Sequence, residues 1–133
     1  MAFVADNSVV VAWFIASQAS AKTNSLLERA AIEDVHVPFI WRAEFAATLL
    51  TLSHSRRLQP ARIPAILDEL ERLDFVHDAA PPSARLLIEL GRRYALSAYD
   101  TCYLELALRL KSPLAALDAP LRKAAERAGI ALA

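Results

Sequence analysis

Short apolar runs, each closed by a polar residue or proline and followed by a helical pattern, recur along this chain. That alternation limits its fold more than any other feature. Residues 2–5 (AFVA) form the first run; Val35-His36-Val37 closed by Pro38, Phe75-Val76-His77 and residues 113–117 (PLAAL) follow, and residues 130–132 offer a fifth. Between them, apolar side chains recur at three- and four-residue spacing, the period of a helix face. Strands separated by helices pair in parallel through right-handed crossovers, since no tight turn reaches a parallel neighbour. The expectation is a three-layer α/β/α fold with a central, mainly parallel sheet of four to five short strands, in one domain spanning residues 1–133. The 133 residues, 56% of them hydrophobic, suffice for such a core, and two glycines suit helices better than an all-β chain of turns.

The helices are read from caps and periodicity. Asp6, Asn7 or Ser8 caps a first helix through Phe14, and a second covers 21–31. A third, over 40–53, carries Glu44 on one stripe with Thr48 and Thr51. Its other faces hold more apolar surface than one small core uses, which marks a partner or dimer face. In helix four Ile63, Ile66, Leu67, Leu70 and Leu73 share amphipathic spacing. Helix five follows Pro81-Pro82, turns Leu86, Leu87 and Leu90 inward and sets Glu89 four residues from Arg93. Gly91 inside it costs about 1 kcal/mol relative to alanine and signals tight or kinked surroundings. A sixth helix fills 98–110, and a last one starts at Ala119 with Pro120 in its first turn and Gly129 as its C′ residue.

Residues 96–121, LSAYDTCYLELALRLKSPLAALDAPL, carry the most chemistry. Ser97 is an N-cap, and Ser97-x-x-Asp100 has capping-box spacing. Thr101, Glu105 and Arg109 share one stripe, and almost everything off it is apolar. At about 100° per residue Asp100 lies roughly 140° from that stripe, alongside Leu104 and Ala107. A carboxylate there is either a cap on the helix dipole or part of a site.

Ligands of parallel sheets bind beyond the carboxyl ends of the strands. Asp6 follows the first strand directly, Asp118 follows PLAAL, Glu44 follows the second strand by one helical turn, and Asp100 opens the helix before PLAAL. If the four converge, no lysine stands beside any of them in sequence. Two carboxylates ~4 Å apart repel by about 4 kcal/mol at an effective dielectric of 20. A divalent cation offsets that repulsion, and all-oxygen ligation favours Mg2+ or Mn2+ over zinc.

Other chemistry lacks its residues. There is no P-loop, dinucleotide fingerprint or Gly-x-Ser-x-Gly elbow. His36, His54 and His77 show no zinc spacing and read as structural, and Cys102 reads as core. A single cysteine allows no intrachain disulfide, and no basic leader or ~20-residue apolar span occurs, so a cytoplasmic protein without a membrane segment is expected. Fifteen basic and fifteen acidic residues cancel, which argues against a generic electrostatic nucleic-acid binder. Phosphate contact must then be local, and Arg56-Arg57 and Arg92-Arg93 are the candidate pairs, though each reads slightly better as a solvated helix end.

Three stretches together resemble the PIN-domain family, and within it the VapC-type toxins of toxin–antitoxin pairs. They are FVADNSVVVAWF (strand, Asp, nearby Ser), VPFIWRAEFAATL (strand, Pro, Glu one turn into a helix) and LSAYDTCYLELALRLKSPLAALDAPLRKAA. The resemblance implies a Mg2+- or Mn2+-dependent endoribonuclease acting on RNA, inhibited by a cognate antitoxin and usually a homodimer. It implies Asp6, Glu44, Asp100 and Asp118 as the metal-binding carboxylates, with Ser8 as a supporting ligand. One departure stands out: the family often has Thr or Ser two residues before the last acid, and this chain has Ala116. That removes a hydroxyl from behind Asp118. Trp13, Phe14 and Trp41 either stack on RNA or receive an antitoxin helix, or they fill the core. Two rival functions are a non-catalytic RNA- or protein-binding module on the same fold and a Mg2+-dependent phospho-receiver switch. The latter lacks its lysine after a late strand, Lys123 standing a turn too far on.

Overall fold

A computed structural model describes all 133 residues. Its sheet is built around β1 (Ala2–Ala5), which pairs with β2 (Asp34–Val37) on one side and β4 (Leu114–Ala115) on the other. β3 (Val76–His77) adds beyond β2, so the order is β3-β2-β1-β4, and every pairing is parallel. Seven helices flank it: α1 (Asn7–Phe14), α2 (Ala21–Ala30), α3 (Trp41–His54), α4 (Ile63–Arg72), α5 (Ala84–Tyr94), α6 (Ala98–Leu110) and α7 (Ala119–Arg127).

Side chains alternate along a strand, so β1 serves two cores. Phe3 and Ala5 join Val35 and Val37 under α1, α2, α3 and α4, while Val4 and Leu114 lie under α6 and α7. Burial on both faces explains why β1 and β4 read as unbroken apolar runs. Trp41 and Phe14 belong to the first core, and Trp13 packs against it with its indole N–H donated to Thr23 O at 2.9 Å. All three pack in or against this core, and Trp41 also lines a groove beside α3. Cys102 is likewise buried.

Several expectations need correction. The fifth strand at 130–132 is a single parallel bridge, Leu114 to Leu132. PLAAL pairs only at Leu114 and Ala115, because β1 ends at Ala5 and its chain turns into α1, leaving Ala116 and Leu117 without a ladder partner. Asp118 therefore stands three residues past the end of its strand rather than directly after it. α5 buries no residue; it packs on α6 at the outside of the molecule, and Leu86 points out rather than in. Leu67 of α4 is also exposed. Glu89 and Arg93 make no ion pair, the pairs being Arg29–Glu33, Arg109–Asp78 and Arg109–Glu105. Of the two readings of Gly91, the helix is unbroken and the surroundings are tight: a Cβ there would lie 3.2 Å from both Leu96 O and Thr101 Oγ1. Gly129 ends α7 at φ +76°, as its C′ position requires. No helix is long and apolar enough to cross a membrane.

Candidate active site

Continuing the registers Val4–His36 and Ala5–Ala115 past the strand ends sets Asp6 level with Pro38 on one side and Ala116 on the other. The Asp6 amide makes the last ladder bond, to Ala115 O at 2.9 Å, and its carbonyl receives the first amides of α1. Asp6 thus occupies the N-cap position, yet its carboxylate makes no cap bond and accepts the Ser8 hydroxyl instead. It is 5% exposed. Burial raises its pKa; the Ser8 hydroxyl and the amides of Asn7 and Ser8 oppose that, and the charge of Asp118 adds to it.

A turn after Pro38 starts α3 and places Glu44 in its first turn. The Glu44 carboxylate accepts the hydroxyl of Tyr103, a fully buried residue of α6 whose oxygen also faces the Asn7 amide. Burial raises the Glu44 pKa, the Tyr103 bond opposes this, and the Asp6 charge reinforces it. Thr48 ties the two segments together, accepting from Asn7 Nδ2 at 3.1 Å and donating to Glu44 O.

At Asp100 the cap is only partly made. Ser97 Oγ does accept the Asp100 amide, at 3.1 Å, but the Asp100 carboxylate does not return to Ser97, so only half of a capping box exists. The carboxyl is pushed up to about 7, first by burial and then by the charges of Asp118, Asp6 and Glu44. Asp118 divides its role: its Oδ2 caps α7 at the Leu121 amide, 3.2 Å away, while its charge is felt by both Asp6 and Asp100.

Four acids from four separate segments therefore sense one another at the carboxyl edge of the sheet, and none takes part in an ion pair. The contrast with Asp78 and Glu105 is instructive, since Arg109 grips each through two nitrogens, at 2.6–3.0 Å. In their present rotamers no three histidine, cysteine, aspartate or glutamate side chains are grouped tightly enough to hold a metal ion. The chemistry of the donor set nevertheless fits a hard divalent cation: it is all oxygen, and no arginine or lysine neutralises it.

Arg92 and Arg93 lie in the last turn of α5, close in sequence to Asp100, and are exposed. Arg56 and Arg57 lie past the far end of α3, about 18 Å from Glu44 along the axis, and are not brought to the acids. Arg56 sits at φ 62° just past that helix end, the solvated-terminus reading of the pair. Two neighbours of the acids escaped sequence reading. Tyr103 looked like one more apolar residue of α6, although its place one turn after Asp100 was a signal. Arg122, four residues after Asp118, donates to Ala116 O at 2.9 Å and so holds a guanidinium at the level of Asp6.

Fold and site together define an α/β protein with unpaired acids at the carboxyl edge of a parallel sheet. A model of the PIN domain matches residues 3–127, and the chain belongs to the PIN-domain family, a family of nucleases. Among solved structures it is similar to PAE2754 from Pyrobaculum aerophilum, with a TM-score of 0.73 at 17% identity, covering 93% of this chain and 84% of that one. A search of curated proteins gives no match.

Proposed function

We propose that this protein is a Mg2+- or Mn2+-dependent endoribonuclease of the VapC toxin type, kept in check by an antitoxin. One observation carries the reading: Asp6, Glu44, Asp100 and Asp118 gather at the edge where parallel sheets bind ligands, and no base neutralises them. Asp6, Glu44, Asp100 and Asp118 would hold the ion. Ser8 orients the Asp6 carboxylate and Tyr103 that of Glu44. When bound, the ion neutralises the carboxylates and lowers the pKa of a water for attack on a phosphodiester. The protein's own part is to fix the carboxylates, orient that water for in-line attack and hold the strand.

The antitoxin reading rests on a groove of about 380 Å3 between α3 and α4, lined by Phe45, Ala46, Leu49, Leu50, Ile63 and Leu67. Such a groove suits an amphipathic helix, from an antitoxin or from a second copy of this chain in a homodimer. That no three of these side chains form a group able to hold a metal ion favours one alternative, a PIN-fold module that binds RNA without cutting it.

Cleavage of single-stranded RNA with Mg2+, with EDTA, and by an Asp6→Asn variant tests the proposal. Cutting that disappears under chelation and in the variant is the expected result; cutting that survives both excludes the mechanism. Metal titration by calorimetry without carboxylate-dependent heat would favour the non-catalytic module.

A further inference from the structure

Beyond the acids, α7 and the end of α5 enclose a second groove of about 370 Å3, lined by Tyr94, Ala95, Ala119, Pro120, Lys123 and Arg127 among others. It begins where the acids end: Ala119 follows Asp118 in the chain, and Ala95 leads through Ser97 to Asp100. Lys123 and Arg127 stand four residues apart on one face of α7. Both are exposed, and neither is ion-paired, although Glu126 shares their helix. Arg127 is held in place. Its guanidinium lies 5.5 Å over the Tyr94 ring, and Nη2 donates to Arg93 O at 3.3 Å, leaving its other donors free.

In a chain of zero net charge, two unpaired cations on a groove whose lining starts one residue after Asp118 form a local anion track. We propose that Lys123 and Arg127 bind successive backbone phosphates of a single-stranded RNA running from the acids along this groove, with Tyr94 as the positioning residue for Arg127. The proposal deepens the nuclease reading and rests on it for the identity of the strand. It also reassigns phosphate contact, from the arginine pair at the far end of α3 to two residues of α7. A groove with one lysine and one fixed guanidinium follows a flexible single strand, whose phosphates can be bent to it, better than a rigid duplex.

The test uses Asp6→Asn protein, so that bound strand is not cut, and a fluorescein-labelled oligouridylate about twelve nucleotides long. Affinity is read by anisotropy between about 50 and 200 mM salt. Lys123→Gln with Arg127→Gln should weaken binding and lower the salt slope by about 1.4, the value for two lost single-strand phosphate contacts. Lys123→Gln alone, which removes no contact seen in the fold, should lower it by about 0.7. Arg56→Gln with Arg57→Gln should leave both unchanged, and circular dichroism checks that each variant is folded. Unchanged affinity and slope in folded α7 variants overturn the proposal, as does competition by polyglutamate as strong as that by RNA. Strand binding that needs Lys123 and Arg127 in a wild-type protein that never cuts RNA supports this groove and removes the nuclease reading, so the two failures are distinct.

Discussion

At the scale of single residues, what separates a candidate site carboxylate from a structural one here is its partner. Glu105 and Asp78 are held by Arg109, whereas Asp100 is held by nothing positive and is surrounded by three other acids. Asp100→Asn should therefore abolish cutting while raising the melting temperature of metal-free protein near pH 8, because it removes a repelled charge; a fall in that temperature would contradict the account. Tyr103→Phe removes the hydroxyl that orients Glu44. It should cost about 2 kcal/mol in denaturant unfolding, the range for a hydrogen bond to a charged group, and should weaken metal binding measured by calorimetry.

At the scale of elements, a chain with two glycines must end its helices by other means. Lys111 stops α6 in the left-handed region at φ 52°, with the Ser112 amide closing back on Ala107 O at 3.1 Å. A side chain in that conformation costs roughly 1 kcal/mol, so Lys111→Gly should stabilise the protein by about that amount in chemical denaturation. Gly91 is the opposite case. Alanine would gain about 1 kcal/mol of helix propensity, but its Cβ would press on the Leu96 carbonyl and on Thr101 Oγ1, which is fixed by its own bond to Ser97 O at 2.7 Å. Since neither neighbour is free to move, Gly91→Ala should lower the melting temperature. The spacing of α5 showed a tight place; only the packed α5–α6 pair showed what makes it tight.

At the scale of the molecule, the unpaired acids link stability to pH and to metal. The Asp100 carboxyl rises from its ordinary 3.8 to about 7 in the fold. Between those values the folded protein keeps a proton that the unfolded chain has lost. Stability from this group is thus full below the unfolded value and is lost as pH rises through about 7. The metal-free protein should melt progressively lower from about pH 5 to pH 8, Asp100→Asn should flatten that decline, and Mg2+ or Mn2+ should reverse it. A melting curve insensitive to pH and metal across that range would contradict the arrangement of the acids.

By itself the sequence determined the layered parallel fold and singled out four candidate acids, because period, caps and the residue after each strand are local properties that a chain carries in its order. It left the strand count at four to five and the distance from Arg56 and Arg57 to the acids open, because neither distance across the fold nor the length of a ladder is written in any one segment. Only the tertiary structure decided that the Asp100 side chain forgoes its cap, that Arg109 neutralises two acids and none of the other four, and that α5 and α7 enclose Lys123 and Arg127. Each of those depends on which charges meet across the fold, and charge pairing at a few ångströms is set by packing rather than by position in the chain.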